Sequence, residues 1–275
     1  GSAVVVVPWH NPVLLAEQVA TIDQLSKGRY DFGIGRGYRA NEFNGFGIDM
    51  ADAEDIFQES IAFMRRAFTE TDRWSYKSDR YTFNDIIVEP VVQLPHPPMW
   101  VGAGSENSIR AAARNGFNLL LDQMTPFEGI GDRVQQYRDE LEKMGKDFDP
   151  YRIGVTRGFM VANNDNERKE AHILRGKFIS EVQVLSTDKR YQAKAFNPVD
   201  DNDAETTGTD SVSENGAVLG NSDEMGERVQ KLYDLGVRNI LLHDLSGNFE
   251  GLHQFAEEVM PHFVDKNDPV VAAAE

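Results

Sequence analysis

Continuous apolar runs alternate with amphipathic stretches from one end of the chain to the other. Ala3–Val7 is an almost unbroken β-branched run, the pattern of a strand buried on both faces. Pro12–Ser26 sets Leu15, Val19 and Ile22 at helical spacing, with Gly28 placed to stop the helix. Tyr30–Ile34 predicts the next strand. Asp52–Glu70 then lines Phe57, Ile61, Met64 and Phe68 along one helical face. Tyr81–Val88 alternates and predicts a small hairpin excursion that ends at Pro95–Pro98. Met99–Ala103 predicts a strand, Ser105–Asn115 a helix closed at Gly116, and Asn118–Leu121 a short buried strand. Phe127–Met144 predicts a charged amphipathic helix ended by Gly145, Arg152–Ala162 a longer strand, and Asp165–Leu185 a helix. Asn197–Asn221 is rich in Asp, Thr, Ser and Gly and predicts a long mobile acidic loop. Ser222–Leu235 predicts a helix, Asn239–His243 the last strand and Phe249–Val264 the last helix. The tail Asp268–Glu275 is expected to fray.

Strands alternating with helices predict a parallel α/β fold, read as one domain over residues 1–275. The pattern holds six strands, whereas a closed (β/α)8 TIM barrel needs eight. Either the sheet is open or two βα units precede the segment, and the Val-rich start favours the second.

Composition narrows the partners. Apolar residues make up 40% and charged residues 27%, enough for a core and a well-solvated surface. Twenty-eight basic against 45 acidic residues leave a formal charge of −17. Such a field repels nucleic acid and anionic membranes, so neither is expected as a partner. The absence of cysteine excludes disulfides, thiolate metal sites and a cysteine nucleophile, and is compatible with a cytoplasmic location. No signal peptide or membrane-spanning run is expected. No HExxH motif or His/carboxylate spacing suggests a metal, and no G-x-S-x-G elbow occurs.

Three stretches could carry chemistry. Gly33-Ile34-Gly35-Arg36-Gly37 leaves a strand without an immediate helix, so it is not a dinucleotide turn. Either its glycines only permit unusual backbone angles and Arg36 is a solvated charge, or Arg36 meets a ligand. Gly102-Ala103-Gly104-Ser105-Glu106-Asn107-Ser108 joins a strand to a helix. Ser105 is either a plain N-cap or part of a phosphate-binding helix start. Pro8-Trp9-His10-Asn11-Pro12 is either a rigid loop or part of a pocket wall. Asp122-Gln123 and His243-Asp244 leave their strands in the same direction. Arg157 sits inside a strand, which is costly unless it is paired or faces a ligand.

Asp23 through Gly37, with its Ser26-Lys27-Gly28-Arg29 block and Gly-Arg-Gly exit, resembles the luciferase-like flavin monooxygenases. Asn11–Gln24, Phe43–Met50, Pro98–Ser108 and Val259-Met260-Pro261 extend the resemblance along nearly the whole chain. It implies a (β/α)8 TIM barrel, with about six of the eight strands present here. It also implies reduced FMN from a separate flavin reductase, and O2 activated as a flavin C4a-peroxide to oxygenate a small organic substrate. Arg36 is similar to the arginine that contacts the flavin phosphate. Gly104, Ser105 and Ser108 resemble the phosphate-binding turn, and Gly35 the small position beside the flavin ring. Tyr38, His10, Asn11 and Asp122 are the implied flavin or substrate contacts, the last three being candidates for catalysis. The family's catalytic histidine lies on a strand preceding this segment. Asn197–Asn221 falls where luciferase has its lid, and a homodimer or heterodimer is implied. The aromatic aldehyde pocket of luciferase has no match, so light emission is not implied. Two alternatives stand beside this reading: an F420-dependent oxidoreductase on the same barrel, and a non-catalytic flavin-binding or structural subunit.

Overall fold

A computed structural model describes residues 1–93, 96–187, 215–247 and 249–263. The chain divides into two compact units, Gly1–Gly102 with Leu185–Phe196, and Ala103–Val184 with Asn197–Glu275.

In the first unit the apolar start yields only a two-residue strand, β1 (Val5–Val6). The expected Ala3–Val7 strand is cut short because Pro8 fixes its own φ and draws Val7–Trp9 into a 3-10 turn. Helix α1 (Pro12–Ser26) has the bounds that its periodicity predicts. The Asn11 side-chain oxygen accepts from the amides of Val13 and Leu14 at 3.0 and 3.3 Å, and Pro12 fills the first helical position. The helix ends as Lys27 turns left-handed (φ 56°) and Gly28 follows at φ 78°.

Strand β2 (Phe32–Gly35) is buried throughout. It runs parallel to β1, with Val5 opposite Ile34. A short helix, α2 (Ala40–Gly45), occupies a stretch expected to lack one. Its anchor is Phe43, buried and edge-on to Trp9 at 5.7 Å between centroids. Helix α3 (Ala53–Ala67) packs on α1. The hairpin β3 (Trp74–Lys77) and β4 (Thr82–Ile86) surrounds Phe63 of α3 with three aromatic rings, each at 5.2 Å. Strand β5 (Met99–Gly102) then pairs parallel with β2, Met99 opposite Phe32.

The second unit begins with α4 (Glu106–Arg114), β6 (Asn118–Leu121) and α5 (Phe127–Lys143). Tyr137 of α5 donates from its hydroxyl to the Phe117 carbonyl at 2.8 Å in full burial. Strand β7 (Ile153–Val161) leads to α6 (Asp165–Thr187). Then come β8 (Val218–Gly220), α7 (Ser222–Asp234), β9 (Asn239–Asp244) and α8 (Glu250–Glu258).

Strand β7 is the hub of this unit's parallel sheet. β6 pairs with its first residues, β9 with Gly154–Phe159 and β8 with Phe159–Val161. Phe159, Val218, Met225, Val229, Phe255 and Val259 form one core cluster. Met160, Ala171, Ala217 and Leu219 form another.

Three expectations are corrected here. Val218–Gly220 is a strand, not the end of a loop, because Val218 and Leu219 are fully packed. It adds to the six strands read from the pattern, and β9 lies along β7 rather than continuing a ring. The last helix stops at Glu258, since Pro261 turns Met260–His262 into a 3-10 segment. Residues 197–214 of the acidic loop and the tail Asp268–Glu275 lie outside the described residues.

Candidate functional site

Parallel sheets receive ligands beyond the carboxyl ends of their strands. In the second unit β6 ends there in Asp122-Gln123-Met124-Thr125. The Asp122 carboxylate accepts from the amides of Met124 and Thr125 at 2.7 and 2.8 Å and from the Thr125 hydroxyl at 2.9 Å. It also receives the Arg133 guanidinium from α5. Burial works against the charged form. The arginine and the two amides outweigh it, so the carboxyl is held below its ordinary range.

Gly104 brings bare backbone to this ion pair. A Cβ there would sit 3.9 Å from Arg133 Nη2 and 4.0 Å from Asp122 Oδ2. Directly after it, Ser105 caps α4 in a reciprocal box with Ser108. Their hydroxyls lie 2.9 Å apart, and the Ser108 amide donates to Ser105 Oγ at 3.3 Å. The first amides of α4 have no carbonyl one turn behind them. A helix start, one exposed and one half-buried hydroxyl, a glycine and a guanidinium are thus within one short reach. This donor set fits a phosphate group.

Arg157 and Arg175 are both fully buried. Arg157 Nη1 donates to the Asp122 carbonyl at 2.8 Å and Arg175 Nη1 to Gln123 Oε1 at 2.8 Å. Burial, opposed by Asp122, lowers both guanidiniums to about 10. His243, on β9 opposite Gly158, packs against the Phe178 ring at 4.7 Å, with Nδ1 buried and unbonded.

The remaining candidates lie in the first unit. Arg36 leaves β2 in a half-exposed ion pair with Glu54 at 3.1 Å. Gly35 lies against the N-terminal segment, a Cβ there meeting Val4 Cγ2 at 2.7 Å. Tyr38 is exposed, with the Arg39 guanidinium 5.3 Å from its ring centroid. His10 follows the 3-10 turn, and partial burial lowers its pKa. The Asn11 amide oxygen is spent on capping α1.

Sequence reasoning missed Arg133 and Arg175. Arg175 stands at helical spacing between the buried Ala171 and Ile179. A cation on an apolar stripe was the available signal. Arg133 borders the buried Ile130–Val134–Tyr137 face, which marks it less clearly. Among the described residues no three His, Asp or Glu side chains form a metal-holding group. No described helix is long and apolar enough to cross a membrane.

Fold and site together define a parallel α/β protein with an anion-ready rim at its strand ends. The chain belongs to the luciferase-like monooxygenase family, whose model matches residues 1–239. It is 27% identical over 266 residues to an FMNH2-dependent dimethylsulfone monooxygenase of Pseudomonas putida, covering 92% of this chain and 71% of that protein. The monooxygenase RslO1 from Streptomyces bottropensis superposes with a TM-score of 0.73 at 24% identity, over 95% of this chain and 77% of that one. An F420-dependent secondary alcohol dehydrogenase gives 0.70 at 18%, over 93% and 76%. These two structural likenesses establish the fold alone.

Proposed function

We propose that the chain binds reduced FMN and is the oxygenating component of a two-component monooxygenase acting on a small organic substrate. A separate flavin reductase supplies the cofactor, and the family's closed (β/α)8 barrel is the frame assumed. The observation that carries the reading is the α4 start, where Gly104, Ser105, Ser108 and Arg133 offer donors suited to a phosphate. Bound FMNH2 supplies the two electrons with which O2 delivers one oxygen atom to the substrate and the other to water.

The chain's own groups then have definite work. Ser105 and Ser108 turn their hydroxyls from each other to the phosphate. Arg133 is held beside the Gly104 turn because Asp122, fixed by two amides and a hydroxyl, pairs with its guanidinium. Asp122 remains ionised and serves as a positioning residue. Arg36, Gly35 and Tyr38 keep the cofactor-contact roles that the family resemblance implies for them.

Anaerobic titration with reduced FMN, riboflavin and F420 tests this reading. Tight binding of FMNH2, weaker binding of riboflavin and none of F420 are expected. Preference for F420 assigns the chain to hydride transfer. Binding of FMNH2 without any flavin-dependent O2 uptake assigns it to the non-catalytic subunits.

A further inference from the structure

We propose that the substrate is a small organic anion, a carboxylate or sulfonate, gripped by the Arg157–Arg175 pair at the carboxyl end of β6. Calling it the substrate rests on the flavin reading; the anion site stands on the second unit alone.

Positive charge is unmatched at this point of the fold. Arg157 gives Nη1 to the carbonyls of Asp122 and Thr156 at 2.8 and 3.2 Å. Its Nε and Nη2 are buried without an acceptor. Arg175 gives Nη1 to Gln123 Oε1 and Nη2 to the Gln123 carbonyl, while its Nε is likewise buried and unbonded. The carboxylate acting on both guanidiniums is Asp122. Its lone pairs are already used by Arg133, two amides and a hydroxyl. Among the described residues three arginines thus share one carboxylate, leaving two positive charges in excess. A buried ion without a partner is strongly disfavoured, and a ligand that brings the missing charge relieves it.

The surroundings give the ligand's shape. Phe127 lies 5.5 Å from the Arg157 guanidinium and Phe178 lies 5.6 Å from that of Arg175. Met124 Sδ is 3.7 Å from Arg175 Nη2. Anionic oxygens on a small apolar body suit such walls. Gly158 makes the arrangement sterically feasible, since a Cβ there would meet Arg175 Nη1 at 2.8 Å. Gln123 and Met124, which touch Arg175, are partly exposed, so solvent reaches the edge of the pair. The neutral Gln123 amide oxygen holds the place that an anion takes, and charge-assisted hydrogen bonds are roughly twice as strong as neutral ones.

The test is calorimetric, on the whole chain without flavin. Methanesulfonate and acetate are titrated beside dimethyl sulfone, the neutral isostere of methanesulfonate. Saturable binding of both anions is expected, with the sulfone at least about tenfold weaker. Arg175→Gln should lose at least about tenfold in methanesulfonate affinity, while Arg175→Lys recovers part of it. FMN affinity should be the same in Arg175→Gln and wild type. Gln123→Glu provides a built-in carboxylate for Arg175, so it should raise the melting temperature and abolish methanesulfonate binding, even if Arg175→Gln fails to fold. The proposal is overturned if the anions do not saturate, if dimethyl sulfone binds as well, or if Gln123→Glu still binds methanesulfonate. It is also overturned if Arg175→Gln weakens FMN but not riboflavin, because the pair then holds the phosphate. Anion binding without flavin binding removes the monooxygenase reading and leaves the site standing.

Discussion

Ser105→Asp separates a structural serine from a phosphate-binding one. In the free protein the Ser105 hydroxyl accepts from the Ser108 amide at 3.3 Å and meets the Ser108 hydroxyl at 2.9 Å. Aspartate caps a helix as well as serine does. Its charge also gains roughly 0.3–1 kcal/mol from the helix start. Stability is therefore expected to hold or rise slightly. Phosphate binding responds in the opposite direction. A carboxylate about 4 Å from a phosphate charge costs about 1 kcal/mol in bulk water and about 4 kcal/mol at an effective dielectric of 20. The α4 start is exposed, so about 2 kcal/mol is expected, roughly a thirtyfold loss of FMN affinity. Riboflavin, lacking the phosphate, should bind as before. Ser105→Ala gives the converse pattern: about 1 kcal/mol of stability is lost with the cap, and FMN affinity falls only a few-fold. Anaerobic fluorescence titration and thermal denaturation of the same samples read both effects. Unchanged FMN affinity in Ser105→Asp, or equal losses for FMN and riboflavin, would refute the phosphate assignment.

Arg36→Gln breaks a half-exposed ion pair with Glu54, so melting should change by no more than about 0.5 kcal/mol. FMN affinity should fall about tenfold with riboflavin unaffected; equal binding by variant and wild type removes Arg36 from the cofactor's contacts. Tyr137→Phe removes the buried hydrogen bond to the Phe117 carbonyl, costing about 1 kcal/mol, which scanning calorimetry should register as a fall of roughly 2–4 °C. Asp122 titrates below its ordinary 3.8 in the folded protein, so its stabilising contribution is complete above that value and is lost as pH falls through the folded one. Glu224 behaves alike below its ordinary 4.5, held down by the Asn221 amide and, against some burial, by Arg168. Melting temperature should therefore fall with acidification below about pH 4.5, and Asp122→Asn should flatten the lowest part of that profile.

What was legible in the sequence followed distance along the chain. Helix α1 keeps its predicted bounds because Asn11, Pro12 and the Lys27-Gly28 turn are local devices acting within a few residues of its ends. Strand β6 does so as well, a short apolar run between Gly116 and Asp122. Helix α2 was hidden because its six residues contain one anchor, Phe43, whose partner Trp9 is far away in sequence. Strand β8 was hidden because three apolar residues in a polar stretch become a strand only when β7 offers an edge. The site divides along the same line. Ser105 and Ser108 form an i,i+3 pattern, visible in one dimension, with both a structural and a ligand-binding use. Arg157 stood out as a cation inside a strand, but Arg133 and Arg175 are ordinary cations in a chain of net charge −17, and nothing in that total suggests a local positive excess. Only the fold shows that Asp122 is the carboxylate acting on Arg157 and Arg175 and is already occupied by Arg133. An acidic protein can therefore receive an anion where, among the described residues, one carboxylate faces three guanidiniums. The overall field opposes the approach, so association of a sulfonate should quicken with added inert salt as screening weakens that repulsion, whereas a basic protein would show the reverse.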